Sequence, residues 1–308
     1  MKEIKVGQIN FYINNRWGDT GEYRIKMIID YFNKFSNNYH YEYYDCKTTC
    51  CDIVFYSLYD IIENLNMCKG SPIYIYWTDE YSGVGANKIF DNPYKFYKKN
   101  NLSISFCEDT SDNCYFPYGF LDYDNVINSF NNIKVDINNK TKFCTFCASN
   151  YDLQEAIYRV NTVKYISENY KEITCCGAVL NNTNGVYLPW DLNERINYHI
   201  PYKFNLSFEN EKSRGTDKYI TEKIMNAFIY KVIPIYYGCD KITDFLNKDA
   251  FINCNGLTHE EIINKIIEVD NNNELYEYMI NQYPFKYRSL NYKEYFFENI
   301  MKMIESHL

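Results

Sequence analysis

A chain of 308 residues is long for one core and suits two domains of about 150 residues each. Hydrophobic residues make up 46% and charged residues 23%, a balance that argues against global disorder. The net charge is −8 and no basic tract stands out, so nucleic acid is not an expected partner and any bound anion must be met by individual lysines and arginines.

The first ten residues (MKEIKVGQIN) read as a polar lead into a strand, without the apolar run of an export signal. No stretch of about 20 apolar residues occurs, so no transmembrane segment is expected and the predicted location is cytoplasmic. Residues 4–11 (IKVGQINF) are the first predicted strand, followed by a loop with Trp17-Gly18-Asp19. Helical apolar spacing at Ile25, Ile28, Ile29 and Phe32 predicts a helix over 23–35. Short strands are predicted at 41–44 and 52–56, and a helix at 58–65. Residues 73–77 (IYIYW) are too continuously apolar for a half-exposed strand and read as a buried parallel one. A strand at 103–106 precedes Tyr115-Phe-Pro-Tyr-Gly119. Residues 131–140 (NNIKVDINNK) are polar and Asn-rich and form the expected linker, giving domains 1–138 and 139–308.

The second half repeats the alternation. Strands are predicted at 143–148, 172–176, 202–208, 232–237 and 250–253. Helices are predicted at 153–168, from near Thr221, at 258–269 and at 292–306, the last able to pack back on the first domain. Strands alternating with helices make an α/β protein with parallel sheets. Ligands of such sheets sit beyond the C-terminal strand ends, near helix N-termini. No GxGxxG is present, and Gly83-Val-Gly-Ala-Asn-Lys88 lacks the P-loop spacing, so a dinucleotide dehydrogenase and a P-loop NTPase fall away.

Twelve cysteines are too sparse for a disulfide scaffold and are expected as thiols. Cys144-Thr-Phe-Cys147 lies in a strand-like run, where residues three apart point to opposite faces, a poor geometry for zinc. Cys50-Cys51 and Cys175-Cys176 have no partner CxxC, and four histidines without HExxH do not support a zinc hydrolase. No metal or cofactor is expected.

The helix near Thr221 carries Lys223 in its first turn, where the macrodipole disfavours a cation. The surrounding pieces, Phe208-Glu-Asn210, Tyr219-Ile-Thr-Glu-Lys223 and Ile233-Pro-Ile-Tyr-Tyr-Gly238, resemble in order the donor-binding motif of the α-1,3-fucosyltransferases, glycosyltransferase family 10. The resemblance is closest to bacterial members and extends to Trp17-Gly18-Asp19, Asp52-Ile-Val-Phe55, Ile75-Tyr-Trp-Thr-Asp-Glu80 and Ala148-Ser-Asn150. Two departures are visible: the spacer between Asn210 and Tyr219 is longer than the family's, and Thr78-Asp79-Glu80-Tyr81 keeps the Glu of the family's T-G-E-N but changes its neighbours.

The resemblance implies the GT-B fold, two facing Rossmann-like α/β domains with a cleft between them. Residues 1–138 would bind the acceptor and 139–308 the nucleotide-sugar donor. It implies inverting transfer of fucose from GDP-fucose to an oligosaccharide or glycoprotein acceptor containing GlcNAc, in α-1,3 or α-1,4 linkage, without a bound metal. On that reading Lys223 neutralises the diphosphate at a helix N-terminus. Glu222 accepts from the ribose hydroxyls, Asn210 and Tyr219 hold the donor, and Arg159 is a second phosphate cation. Glu80, at the rim of a buried strand, is the general base, with Glu209 the competing carboxylate. Thr221 caps the helix. Asp122-Tyr-Asp124 resembles a metal-binding DxD of a different transferase architecture. Each residue also has a plain structural reading as solvent-facing charge, loop packing or first-turn complementarity. Two other functions stay open: a related transferase using another nucleotide sugar, and a glycan-binding protein of the same fold without turnover.

Overall fold

A computed structural model describes residues 1–9, 21–57, 68–77, 101–105, 109–149, 154–210 and 218–308. They divide into two compact units, Met1–Pro117 with Asn291–Leu308, and Tyr118–Leu290.

The first unit contains β1 (Lys2–Ile9), α1 (Gly21–Phe35), β2 (Tyr39–Tyr43), β3 (Ile53–Ser57), β4 (Ile73–Trp77), β5 (Asn101–Ser105) and β6 (Asn113–Tyr115). Its strands form one sheet in the order β2-β1-β3-β4-β5-β6, with every pairing parallel. Ile4 and Val6 of β1, Ile53 and Phe55 of β3 and Ile75 and Trp77 of β4 are buried at the two-residue spacing of one strand face, and Val54 and Tyr56 bury the other face of β3. The α1 stripe of Ile25, Ile28, Ile29 and Phe32 is buried at the spacing of one helix face. The first strand starts two residues earlier than the predicted 4–11, and the last two predicted positions lie outside the described residues. The Trp17-Gly18-Asp19 loop, the predicted helix 58–65 and Glu80 lie outside the described residues.

The second unit contains α2 (Tyr123–Asn132), β7 (Lys142–Phe146), α3 (Gln154–Asn169), β8 (Ile173–Cys175), α4 (Leu192–His199), β9 (Tyr202–Phe208), α5 (Glu222–Ile229), β10 (Ile233–Tyr237), β11 (Ile252–Asn253), α6 (His259–Asp270) and α7 (Asn273–Ile280). Its sheet runs β11-β10-β9-β7-β8, again parallel throughout. The register sets Tyr237 of β10 opposite Phe208 of β9, so the ends of these two strands are level. The core of this unit gathers Phe146, Phe204, Leu206, Ile233 and Ile235 from the strands with Val163, Ile166, Ile262 and Ile266 from the helices. The chain then returns to the first unit with α8 (Tyr292–Glu305).

The division falls at Pro117/Tyr118 and not at the expected 138. The cause is packing: the Gly119 amide donates to the Ile220 carbonyl at 3.2 Å, and Phe120 packs on Phe245 and Phe285 at 5.7 and 5.8 Å between ring centroids. Residues 131–140 are therefore an internal connection between α2 and β7, holding a short 3-10 turn at Ile137–Asn139.

Candidate functional site

The site is built where β9 and β10 end and α5 begins. β9 runs into Glu209 and Asn210, and the Glu209 amide still donates to the Tyr237 carbonyl at 2.8 Å. That bond extends the ladder one residue past the strand and points the Glu209 side chain with little freedom. Its carboxylate accepts from the Thr221 amide at 2.8 Å and from the Thr221 hydroxyl at 2.6 Å. Thr221 is the N-cap of α5 and also accepts from the Lys223 amide. One buried carboxylate thus fixes the cap, and the cap fixes the start of the helix.

Two glycines make this approach feasible. A Cβ on Gly238 would lie 2.5 Å from Cγ of Glu209, and one on Gly119 would lie 2.4 Å from the Thr221 carbonyl oxygen. Both contacts are closer than atoms pack, so the strand end and the helix start meet only where a side chain is missing.

Lys223 answers to this arrangement. Its ammonium lies 3.0 Å from the Thr221 hydroxyl, 3.4 Å from a Glu209 oxygen and 3.7 Å from a Glu222 oxygen. The cation at the positive end of a helix therefore has two carboxylates beside it, which offsets the macrodipole. Glu222 in turn accepts from the hydroxyl of Tyr118. Arg159, on α3, donates to the side-chain carbonyl of Asn210 and lies over the Phe146 ring at 5.9 Å.

Burial governs the electrostatics. It pushes the Glu209 carboxyl up, while Lys223 and the Thr221 bonds pull it back. It pushes the Arg159 guanidinium down, while Glu209, Tyr219 and Glu222 hold it up. Three of the four groups that steady Arg159 are site members, so Arg159, Asn210, Tyr219, Glu222 and Lys223 belong to one neighbourhood of the second unit. Two cations face two carboxylates there. The Lys223 side chain keeps 19% of its surface exposed against 0% and 5% for Glu209 and Glu222, so the group that solvent meets is the cation. A helix start presenting a lysine over buried carboxylates is suited to an anion.

Of the residues singled out in the sequence, Glu80 lies outside the described residues, and the other five come together. Tyr118, Gly119 and the Glu209–Thr221 pair were not given site roles from sequence, apart from Glu209 as the competing carboxylate. The available signal was Tyr118-Gly119, an aromatic–glycine step after a proline. Among the described residues, no group of three or more His, Cys, Asp or Glu is placed to hold a metal ion, and no helix is long and apolar enough to cross a membrane.

Comparison with known proteins agrees with this geometry. Over residues 137–302 the chain matches a sequence model described as glycosyltransferase family 10 (fucosyltransferase), C-terminal. It is 29% identical over 162 residues to the alpha-(1,3)-fucosyltransferase FucT of Helicobacter pylori, covering 52% of this chain and 31% of that protein. It is 30% identical over 181 residues to 4-galactosyl-N-acetylglucosaminide 3-alpha-L-fucosyltransferase 9 of Cricetulus griseus, covering 57% of this chain and 45% of that one. The chain thus matches 31% and 45% of the length of these two relatives, less than half of each. A crystal structure of an alpha1,3-fucosyltransferase superposes with a TM-score of 0.66 at 19% identity, covering 99% of this chain and 89% of that one. One with GDP-fucose superposes at 0.64 and 20%, covering 98% and 91%. At these identities the structural likeness establishes the fold, which is of the GT-B class. The sequence match extends over more than half of the chain, and the chain belongs to glycosyltransferase family 10, the fucosyltransferases.

Proposed function

We propose that the chain is an inverting fucosyltransferase, moving fucose from GDP-fucose to a GlcNAc-containing glycan in α-1,3 or α-1,4 linkage. The observation that carries this reading is the partly exposed Lys223 side chain at the capped start of α5, inside the segment matched to the family. A departing nucleoside diphosphate gains negative charge, and a fixed cation beside a helix N-terminus stabilises that charge where it develops.

In the resting protein Lys223 lies beside Glu209 and Glu222. On donor binding its ammonium turns to the diphosphate, and Arg159 supplies the second cation. Glu222 accepts from the ribose hydroxyls, and Asn210 and Tyr219 hold the donor. Glu80 takes the proton of the acceptor hydroxyl, a step worth about 10²–10⁴-fold in rate for a positioned base. Charge neutralisation by Lys223 and Arg159 lets the transfer proceed without a bound metal.

The test is GDP release across a panel of nucleotide sugars, with and without N-acetyllactosamine, in the presence and absence of EDTA. The reading expects release from GDP-fucose that the acceptor accelerates and EDTA leaves unchanged. Release from another nucleotide sugar alone would reassign the donor, and glycan binding with no release from any of them would end the enzyme reading.

A further inference from the structure

The parallel ladder between β7 and β8 pairs Cys144 with Ile173, Thr145 with Thr174 and Phe146 with Cys175. Cys147 and Cys176 are the residues that follow the last registered pair, Phe146 and Cys175. The ladder reaches that point, because the Cys176 amide donates to the Phe146 carbonyl at 3.0 Å. Registered residues of neighbouring strands project to the same face, with strands about 4.8 Å apart. A disulfide spans Cα atoms about 4.4–6.8 Å apart. The Cys176 sulfur lies 3.6 Å from the carbonyl oxygen of Phe146, the residue before Cys147, and the Cys147 thiol acts on that of Cys176. The adjacent Cys175 points to the opposite face, and Cys144 is fully buried three residues before Cys147.

The pair is asymmetric. Cys147 is exposed, whereas Cys176 is buried. The Cys147 thiol, and then burial, push the Cys176 thiol far up. An exposed attacking thiol backed by a buried resolving one is the arrangement that thiol–disulfide exchange requires.

We propose that Cys147 and Cys176 form a reversible dithiol–disulfide couple, oxidised by small disulfides such as oxidised glutathione, beside the Arg159–Asn210 corner of the site. The Cys147 thiolate attacks one glutathione sulfur, forming a mixed disulfide and releasing one glutathione thiolate, which takes up a proton. Cys176 then loses its proton to solvent, and its sulfur attacks that of Cys147 and expels the second glutathione. The sum is two protein thiols and one glutathione disulfide giving one protein disulfide and two glutathione thiols. Cys147 acts electrostatically on Arg159, which donates to Asn210, so closing the bond removes a group that, once ionised, competes with a bound diphosphate for the guanidinium. This last link rests on the donor-site reading above.

The full chain is equilibrated in glutathione redox buffers, quenched by alkylation and mapped by peptide mass spectrometry. The expected result is a Cys147–Cys176 linkage that a reductant removes, lost in Cys147→Ser and in Cys176→Ser and kept in Cys46→Ser. Recovery of both residues as separate alkylated thiols, a glutathione adduct that stays on Cys147, or pairing of Cys147 with another cysteine would overturn the couple. GDP affinity is measured alongside, and oxidation should raise it at least threefold in the unsubstituted chain and not in Cys147→Ser. Equal affinity with the bond formed would overturn the link to Arg159. If the reduced chain binds no GDP, the donor reading fails, and the mapping alone decides the couple.

Discussion

Glu209 is held from four sides: by two hydrogen bonds from Thr221, by the Lys223 ammonium, and by the missing side chain of Gly238. The pairing spans twelve residues of sequence, and no local pattern announces it. The Tyr219-Ile-Thr-Glu-Lys223 stretch was legible because charge and capping follow from position in a helix. Its carboxylate partner was not, because the contact exists only once β9 and α5 are packed. Gly119 belongs to the same class. Gly119→Ala puts a Cβ 2.4 Å from a backbone oxygen that cannot rotate away. The expected loss is about 1–3 kcal/mol, read as a lower urea midpoint with unchanged slope. An unshifted midpoint would mean that the start of α5 moves freely. Lys223→Met separates charge from packing. It should weaken GDP binding by about tenfold or more, since hydrogen bonds to charged groups contribute about 1.5–3 kcal/mol. Calorimetric titration of GDP checks this, and affinity within twofold of the unsubstituted chain would remove Lys223 from the site.

At the scale of elements, α5 is fixed at both ends. Its C-terminus closes with a Schellman motif: the Val232 amide donates to the Ala227 carbonyl and the Lys231 amide to the Phe228 carbonyl, both at 3.1 Å. The motif needs a left-handed residue, and Lys231 takes it at φ 54°, a conformation that costs a non-glycine residue about 1–2 kcal/mol. Burial also pushes the Lys231 ammonium down to about 8. Lys231→Gly should therefore raise the urea midpoint. The sign of the pH dependence follows from the lowered value. The cost of burying the charge is fully present below about pH 8 and fades as the pH rises towards the unfolded value of 10.5. The gain should be larger at pH 7 than at pH 10, and the reverse order would show that the lysine is not strained by its burial. α6 offers the opposite sign. Asp270 ends it, where the dipole disfavours an anion, yet Lys171 and Lys203 approach its carboxylate at 2.5 and 2.8 Å. Burial alone would raise Asp270, but these bonds and the Tyr170 hydroxyl outweigh it and hold the carboxyl below its ordinary value. Its contribution is present above about pH 4 and lost as the pH falls through the lowered value. Asp270→Asn should cost about 3–5 kcal/mol at pH 7, as breaking a buried pair does, and progressively less at pH 3. A pH-independent cost, measured by urea titration at both values, would exclude the ionic account.

For the whole molecule, strand–helix alternation was enough to foresee two parallel α/β sheets, because continuous apolar runs such as residues 73–77 have no other place to go. Helices α2, α4 and α7 escaped notice because each is short, at ten, eight and eight residues. In α4 only Arg195 and His199 are buried, so no apolar period marks it. The boundary escaped for a related reason: an Asn-rich stretch looks like a linker whether it joins domains or two elements of one domain. The closing helix settles how the first unit depends on the last residues of the chain. Phe296, Phe297, Ile300 and Ile304 of α8 are each at most 2% exposed within that unit. Phe297 stacks on Tyr31 of α1 at 4.4 Å between centroids, and Glu294 and Glu305 bond Lys34 and Ser36. Burying such side chains contributes about 1.5–3 kcal/mol each, so four amount to roughly 6–12 kcal/mol, comparable with the net stability of about 5–15 kcal/mol of a whole domain. A chain ending at Leu290 should therefore lose its first unit and keep its second. Hydrogen exchange should show β1, β3 and β4 amides unprotected while β7, β9 and β10 amides stay protected. Retained protection in β1 and β3 would show that the six-stranded sheet and α1 form a sufficient core, and that α8 covers a unit already folded.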